Sequence, residues 1–146
     1  MVAGDLARVI EIAASLPDAP HWSQAAYVDA LNPDSTPSRF ALVATEVGSD
    51  LVLGFAVARL VPPQAELETI AVAAKRQRQG LASRLFSALA GDLRAADVRE
   101  LLLEVRASNQ PALTFYQSVG FRETGRRPRY YADPIEDAVL MRVQFG

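Results

Sequence analysis

The sequence predicts a mixed α/β domain, and three observations carry that prediction. Segments with apolar residues at helical spacing alternate with short runs rich in Val, Leu and Ile, giving the order ααβββαβαββ. At 146 residues the chain has the length of one domain, so residues 1–146 are expected to form a single unit. No internal repeat, low-complexity tract or long linker divides it.

Each element has its own signal. From Asp5 to Leu16, apolar residues at 6, 9, 10, 12, 13 and 16 form one helical stripe, with Asp5 as the expected N-cap and Pro17 as the terminator. Ser23 caps a second, shorter helix that ends near Leu31, before Asn32-Pro33, and the segment from Pro17 to Trp22 is the loop between the two. Residues 39–47 and 51–61 are antiparallel strands joined at Gly48-Ser49-Asp50. After Pro62-Pro63, residues 65–72 read as a third strand, and residues 80–96 place Leu81, Leu85, Phe86, Leu89 and Leu93 along one helical face. Residues 100–105 form a short, Leu-rich strand of the buried type. Asn109 opens the last helix, with Pro111 in its first turn and Gly120 at its stop. Residues 121–131 and 138–145 alternate as closing strands.

Composition narrows the chemistry. Fifteen Lys and Arg against seventeen Asp and Glu leave a formal charge of −2, which offers no global field for nucleic acid or an anionic membrane. The chain has no cysteine and a single histidine, His21, which excludes disulfides, thiolate metal sites, a Cys nucleophile and poly-His zinc sites. Acid–base work at neutral pH therefore falls to carboxylates, tyrosines, Lys75 or His21. Asp5, Arg8 and Glu11 interrupt the first apolar pattern, so no signal peptide is expected, and the apolar runs fall short of the roughly 20 residues needed to span a bilayer. A cytoplasmic location is the expectation.

The first motif is the turn Lys75-Arg76-Gln77-Arg78-Gln79-Gly80-Leu81-Ala82, which joins a strand end to a helix start. A helix N-terminus presents unpaired N–H groups and about half a positive charge, and Gly80 permits close backbone approach, so the turn suits a pyrophosphate. On its own it also reads as a basic surface turn leading into an amphipathic helix. It lacks the Gly-Lys-Ser/Thr of a P-loop and the G-x-G-x-x-G of a dinucleotide fold. Two further residues stand out. Glu104 lies at the end of the strand Leu101-Leu102-Leu103, where open α/β sheets place ligands, although Arg106 or Arg78 could simply pair with it. Tyr116 carries a phenol of reference pKa about 10, protonated at pH 7, and a buried structural ring is its alternative role.

Taken together, Gln77-Arg78-Gln79-Gly80-Leu81-Ala82, Leu103-Glu104-Val105-Arg106-Ala107-Ser108-Asn109, Phe115-Tyr116-Gln117-Ser118-Val119-Gly120-Phe121, Gly125-Arg126-Arg127 with Tyr130-Tyr131, and Glu136-Asp137-Ala138 resemble the GNAT family of N-acetyltransferases. Within that family they are similar to the bacterial branch that acetylates the N-terminal alanine of a ribosomal protein. The resemblance is close over residues 65–143; residues 1–64 match mainly in element order and at Trp22-Ser23. Two departures stand out: Ala82 replaces the commoner final glycine, and Ala73-Ala74-Lys75-Arg76 occupies a turn that usually contains Asp or Pro.

The resemblance implies a GNAT-like, mostly antiparallel sheet flanked by helices, with acetyl-CoA as co-substrate and no metal. It implies that Gln77, Arg78, Gln79, Gly80, Leu81, Ala82 and Ser83 wrap the pyrophosphate, that Ile70, Ala71 and Val72 pair with the pantetheine arm, and that Asn109 contacts coenzyme A. Glu104 matches the proton acceptor and Tyr116 the proton donor, with Glu66 as second choice for the base. Tyr130, Tyr131 and Trp22 would hold the acceptor, with Arg126, Arg127 and Arg129 nearby; His21 receives no catalytic role. The acceptor implied is a peptide or protein N-terminus, a ribosomal protein among the candidates. A small amine or lysine side chain, or a catalytically weak acetyl-CoA-binding regulatory module, are the alternatives.

Overall fold

The computed structural model describes residues 1–16, 22–32, 34, 38–77 and 79–145. Its elements are α1 (Leu6–Ser15), α2 (Gln24–Leu31), β1 (Arg39–Thr45), β2 (Val52–Val61), β3 (Gln64–Val72), α3 (Leu81–Ala95), β4 (Glu100–Arg106), α4 (Gln110–Ser118), β5 (Arg122–Tyr131) and β6 (Glu136–Gln144), with 3₁₀ turns at Ala3–Asp5 and Ala74–Arg76. The element order is the expected one. The strands form one sheet in the order β1-β2-β3-β4-β6-β5. Only β3 and β4 pair in parallel; the other neighbours are antiparallel.

Helix starts follow their capping residues, with one correction. Ser23 Oγ accepts from the Ala26 N–H at 3.2 Å, and Asn109 Oδ1 accepts from the Ala112 N–H at 3.3 Å. Asp5 occupies the N-cap position of α1 but does not bond into it. Its carboxylate accepts from the Val2 N–H at 2.9 Å, so it closes the preceding 3₁₀ turn, which the sequence pattern did not distinguish from helix. The loop residues 17–21 and Pro33 lie outside the described residues.

Strand alternation sorts the apolar side chains into two cores, one on each face of the sheet. On one face Phe86, Leu89 and Leu93 of α3 meet Leu67, Leu101, Leu103 and Met141, and Leu113, Phe115 and Tyr116 of α4 pack alongside. On the other, Val9 and Ile12 of α1 and Tyr27 of α2 meet Phe55, Val57 and Ala71. The central strand β2 is apolar throughout because both of its faces are covered: Ala56 and Ala58 look to the α3 side, Phe55 and Val57 to the α1 side. Leu89 and Leu93 are fully enclosed, so truncating either to Ala costs about 2–5 kcal/mol.

One interruption of the sheet positions everything that follows. The parallel register of β3 and β4 consists of Gln64↔Glu100, Ala65↔Leu101 and Glu66↔Leu102. Beyond Leu102, β4 continues along β6, and beyond Glu66, β3 continues along β2, so the two central strands part. The register of β2 and β3 slips between Val57↔Thr69 and Ala58↔Leu67, leaving Glu68 as a bulged residue two positions past the last parallel pair. A bulge bends its strand and increases its twist, which turns β3 away from β4 at this point. Arg39 Nε donates to Glu68 Oε1 at 2.7 Å, and both side chains are largely covered, so the bulge is held from β1. Among the described residues, no helix is long and apolar enough to cross a membrane.

Candidate active site

The opening between β3 and β4 leaves one edge of residues 67–72 without a strand partner, so backbone groups of Ile70, Ala71 and Val72 are available to an extended, amide-bearing ligand. Beyond Val72, the chain turns into α3 through Gly80, whose φ of +79° is left-handed. A Cβ there would meet nothing within 4 Å, so glycine serves the backbone conformation and leaves space in front of the helix. The first-turn N–H groups of α3, including those of Leu81, Ala82 and Ser83, lack intrahelical partners by geometry, as at any helix start. The Gln77 carboxamide donates to the Val72 carbonyl at 3.1 Å and braces the turn. Arg76 pairs with Glu46 at 2.7 Å. Gln79 and Ser83 are exposed. Arg78 lies outside the described residues.

Glu104 and Tyr116 lie on opposite faces of the sheet. In β4, Leu103 and Val105 point into the α3-side core, so Glu104, paired with Leu140, points to the α1 side. Tyr116 belongs to α4 and packs on the α3-side core, its ring 5.6 Å from Phe115 and 5.5 Å from Phe121. Burial, with a smaller contribution from Tyr131, pushes its phenol up to about 12. Tyr116 is therefore a neutral phenol across the physiological range, a donor and not a base. Asn109, at the head of α4, spends Oδ1 on the helix cap.

The hairpin of β5 and β6 closes the α1 side of the opening. Arg127 Nη2 lies 3.6 Å from Glu104 Oε1 and its guanidinium sits 5.5 Å from the Tyr130 ring centroid. The Glu104 carboxylate beside the Tyr130 phenol raises its pKa. Tyr131 is raised too, by burial first and then by Glu104. Tyr131 thus interacts with both Glu104 and Tyr116. Arg106 was a candidate partner for Glu104, but the structure corrects this. It forks to the carbonyls of Pro134 and Ala132, at 3.1 Å each, stacks 4.5 Å over Tyr131 and lies 3.6 Å from Glu136.

Glu66, the second candidate base, stands on the same face as Glu104 but is engaged by Arg59 at 2.5 Å. Trp22 packs on Tyr27, with ring centroids 5.1 Å apart, against the α1-side core. The sequence reading missed three contributors: the bulge at Glu68, its Arg39 partner, and Arg106 as the brace of the hairpin turn. The doublet Glu66/Glu68 was visible as polar alternation, but no local signal marks a bulge or a partner 29 residues away.

Comparisons with known proteins agree with this geometry. The chain matches the model of the acetyltransferase (GNAT) family over residues 7–121. It is 44% identical over 89 residues to the ribosomal protein bS18-alanine N-acetyltransferase of Escherichia coli strain K12, a match spanning 60% of this chain and 60% of that protein. Among solved structures, the Escherichia coli ribosomal-protein-S18-alanine N-acetyltransferase superposes with a TM-score of 0.82 at 32% identity, covering 99% of this chain and 90% of that one. Ard1 from Thermoplasma volcanium superposes with a TM-score of 0.86 at 29% identity, covering 100% and 95%.

Proposed function

Since the chain belongs to the GNAT acetyltransferase family, we propose that it transfers acetyl from acetyl-CoA to the α-amino group of a protein N-terminus, Ala-initiated in the first instance. The observation that carries this reading is the placement of a carboxylate and a neutral phenol on opposite faces of the sheet, with Tyr131 interacting with both. Acetyl-CoA supplies an acetyl group activated as a thioester. The open edge of Ile70, Ala71 and Val72 and the Gly80 end of α3 fit its amide-bearing arm and its pyrophosphate.

The residues then divide the work. Backbone N–H groups on the open edge of β3 hold the thioester oxygen, a contribution independent of side chains. On the α1 face, Glu104 accepts a proton from the acceptor amine as its nitrogen forms the new bond to the carbonyl carbon. On the α3 face, Tyr116 gives its proton to the sulfur as the carbon–sulfur bond breaks. The products are the acetylated amine and the free thiol, and no protein group is acylated. An α-amino group, with a pKa of about 7.7–8.0, is roughly a tenth neutral at pH 7 and asks much less of its base than a lysine at about 10.4.

The support for an N-terminal alanine is the likeness to the Escherichia coli ribosomal-protein S18-alanine N-acetyltransferase. Steady-state assays comparing an Ala-initiated peptide with polyamines, aminoglycosides and Nα-blocked lysine peptides test it. Turnover of the peptide at the highest kcat/KM is expected, and activity confined to small amines would defeat it. Mass spectrometry of cellular N-termini after deleting and restoring the protein would name the natural acceptor.

A further inference from the structure

Thr69 is the buried polar residue of the sheet that no role yet explains. It is 4% exposed, and its Oγ1 is buried without a hydrogen-bond partner among the described residues. An unmade hydrogen bond at such a site is costly, so a buried hydroxyl without a partner points to a polar group that arrives with a ligand or solvent. Its place is informative. Thr69 pairs directly with Val57, which belongs to the α1-side core, so its side chain shares the face of Glu104 and not that of Tyr116. The bulge produces this: Leu67 looks to the α3 side, and after Glu68 the alternation resumes with Thr69 on the α1 side. Counted from the last parallel pair, Glu66↔Leu102, the first side chains on that face beyond the junction are Glu68 and Thr69 on β3 and Glu104 on β4. Glu68 is taken by Arg39. Thr69 and Glu104 are left to border the opening from its two sides.

We propose that Thr69 is an acceptor-contacting residue, its hydroxyl receiving a hydrogen bond from the attacking amine while Glu104 receives the proton. A hydroxyl both donates and accepts, so Oγ1 can take an amine N–H and leave the nitrogen lone pair directed at the opening. The proposal rests on acetyl transfer to an amine at Glu104, whichever amine that is, and thus stands apart from the choice of an N-terminal alanine.

The experiment compares wild type with Thr69→Val, which keeps shape and removes the hydroxyl, and with Thr69→Ser, which keeps the hydroxyl. Melting temperature, KM for acetyl-CoA and KM for the acceptor are measured, with the Ala-initiated peptide as first acceptor. Thr69→Val is expected to melt at or above the wild-type temperature, because it buries no unsatisfied group, and to keep the acetyl-CoA KM within twofold. Its acceptor KM should rise about tenfold, the effect of one hydrogen bond, and Thr69→Ser should restore it. An unchanged acceptor KM in Thr69→Val, or a rise confined to acetyl-CoA, overturns the proposal. Wild-type turnover of small amines without any of the peptide overturns the N-terminal reading alone, and Thr69 is then judged by the same comparison on that amine. A wild type that acetylates no amine overturns both.

Discussion

Glu104 and Tyr116 stand on opposite faces of one sheet, and Tyr131 interacts with both. An amine can approach Glu104 from the α1 side while the sulfur leaves toward Tyr116 on the α3 side, so neither proton transfer crowds the other. The arrangement makes the two residues separable by mutation. Glu104→Gln should lower kcat about 10²–10⁴-fold with acetyl-CoA affinity nearly unchanged, since the residue faces away from the donor side. Stopped-flow or steady-state turnover with calorimetric acetyl-CoA binding reads both quantities, and full activity in the variant would remove Glu104 from the mechanism.

Tyr116→Phe should lower kcat by a similar factor, and it carries a separate signature in stability. The folded phenol titrates at about 12 against a reference of 10. Its neutral form is the one folding favours, so the contribution is fully present below pH 10 and is lost as pH rises from 10 toward 12. Wild type should therefore lose about 1 kcal/mol more than Tyr116→Phe between pH 9.5 and 11, measured by urea denaturation. Tyr27 and Tyr130 are common to both proteins and cancel, and Tyr131, which interacts with Tyr116, adds only the smaller part of the difference. Parallel stability curves would show that Tyr116 is not buried as neutral phenol.

Gly80 should separate backbone strain from ligand contact. Its φ of +79° disfavours any residue with a Cβ, while the space around it is open. Gly80→Ala should cost about 1–2 kcal/mol of stability without a clash and weaken acetyl-CoA binding, because the first N–H groups of α3 are re-aimed. Gly80→Asn, which tolerates the left-handed region better, should lose less of both. Calorimetry on the two variants checks the order.

The element order was legible because each helix and strand carries its own periodicity and boundary residues, as Ser23 and Asn109 show at their caps. Motif spacing marked Glu104 and Tyr116, but it could not tell where β3 and β4 part. The bulge at Glu68 and its hold on Arg39, a contact between strands two apart in the sheet, mark that point. Asp5 misled for the opposite reason: a local signal for a cap was correct in kind, but a 3₁₀ turn took its carboxylate first. Arg106 was placed on the right face by alternation, yet its partners come from a turn 26 and 28 residues away.

Gly54 fixes how closely β2 approaches the end of β3. A Cβ added there would lie 2.8 Å from the Ala71 carbonyl oxygen and 3.2 Å from both Leu85 Cδ1 and Val72 Cγ2. Backbone cannot yield as a flexible side chain can, so Gly54→Ala should destabilise by about 1–3 kcal/mol. It should also raise the acetyl-CoA KM, because the strand displaced is the one whose far edge is open to the donor. A variant as stable as wild type would show that β3 shifts freely, and the open edge would then be a poor template.

Arg106 braces the turn that carries the hairpin tyrosines, and its loss should be felt by the acceptor alone. The guanidinium forks to the carbonyls of Ala132 and Pro134, lies 3.6 Å from Glu136 and stacks 4.5 Å over Tyr131. A planar fork with five donors makes all of these contacts at once; an ammonium cannot, so Arg106→Lys is not a conservative change here. With the brace removed in Arg106→Met, Tyr131 loses its stacking partner and the segment that sets Tyr130 against Glu104 is freed. The acceptor KM should then rise about tenfold or more, while the acetyl-CoA KM stays within twofold, because the donor edge of β3 and the end of α3 are untouched. Arg106→Lys should fall between the two proteins. Equal rises in both KM values would indicate general loosening of the sheet, and no rise in either would show that the hairpin turn is held without Arg106.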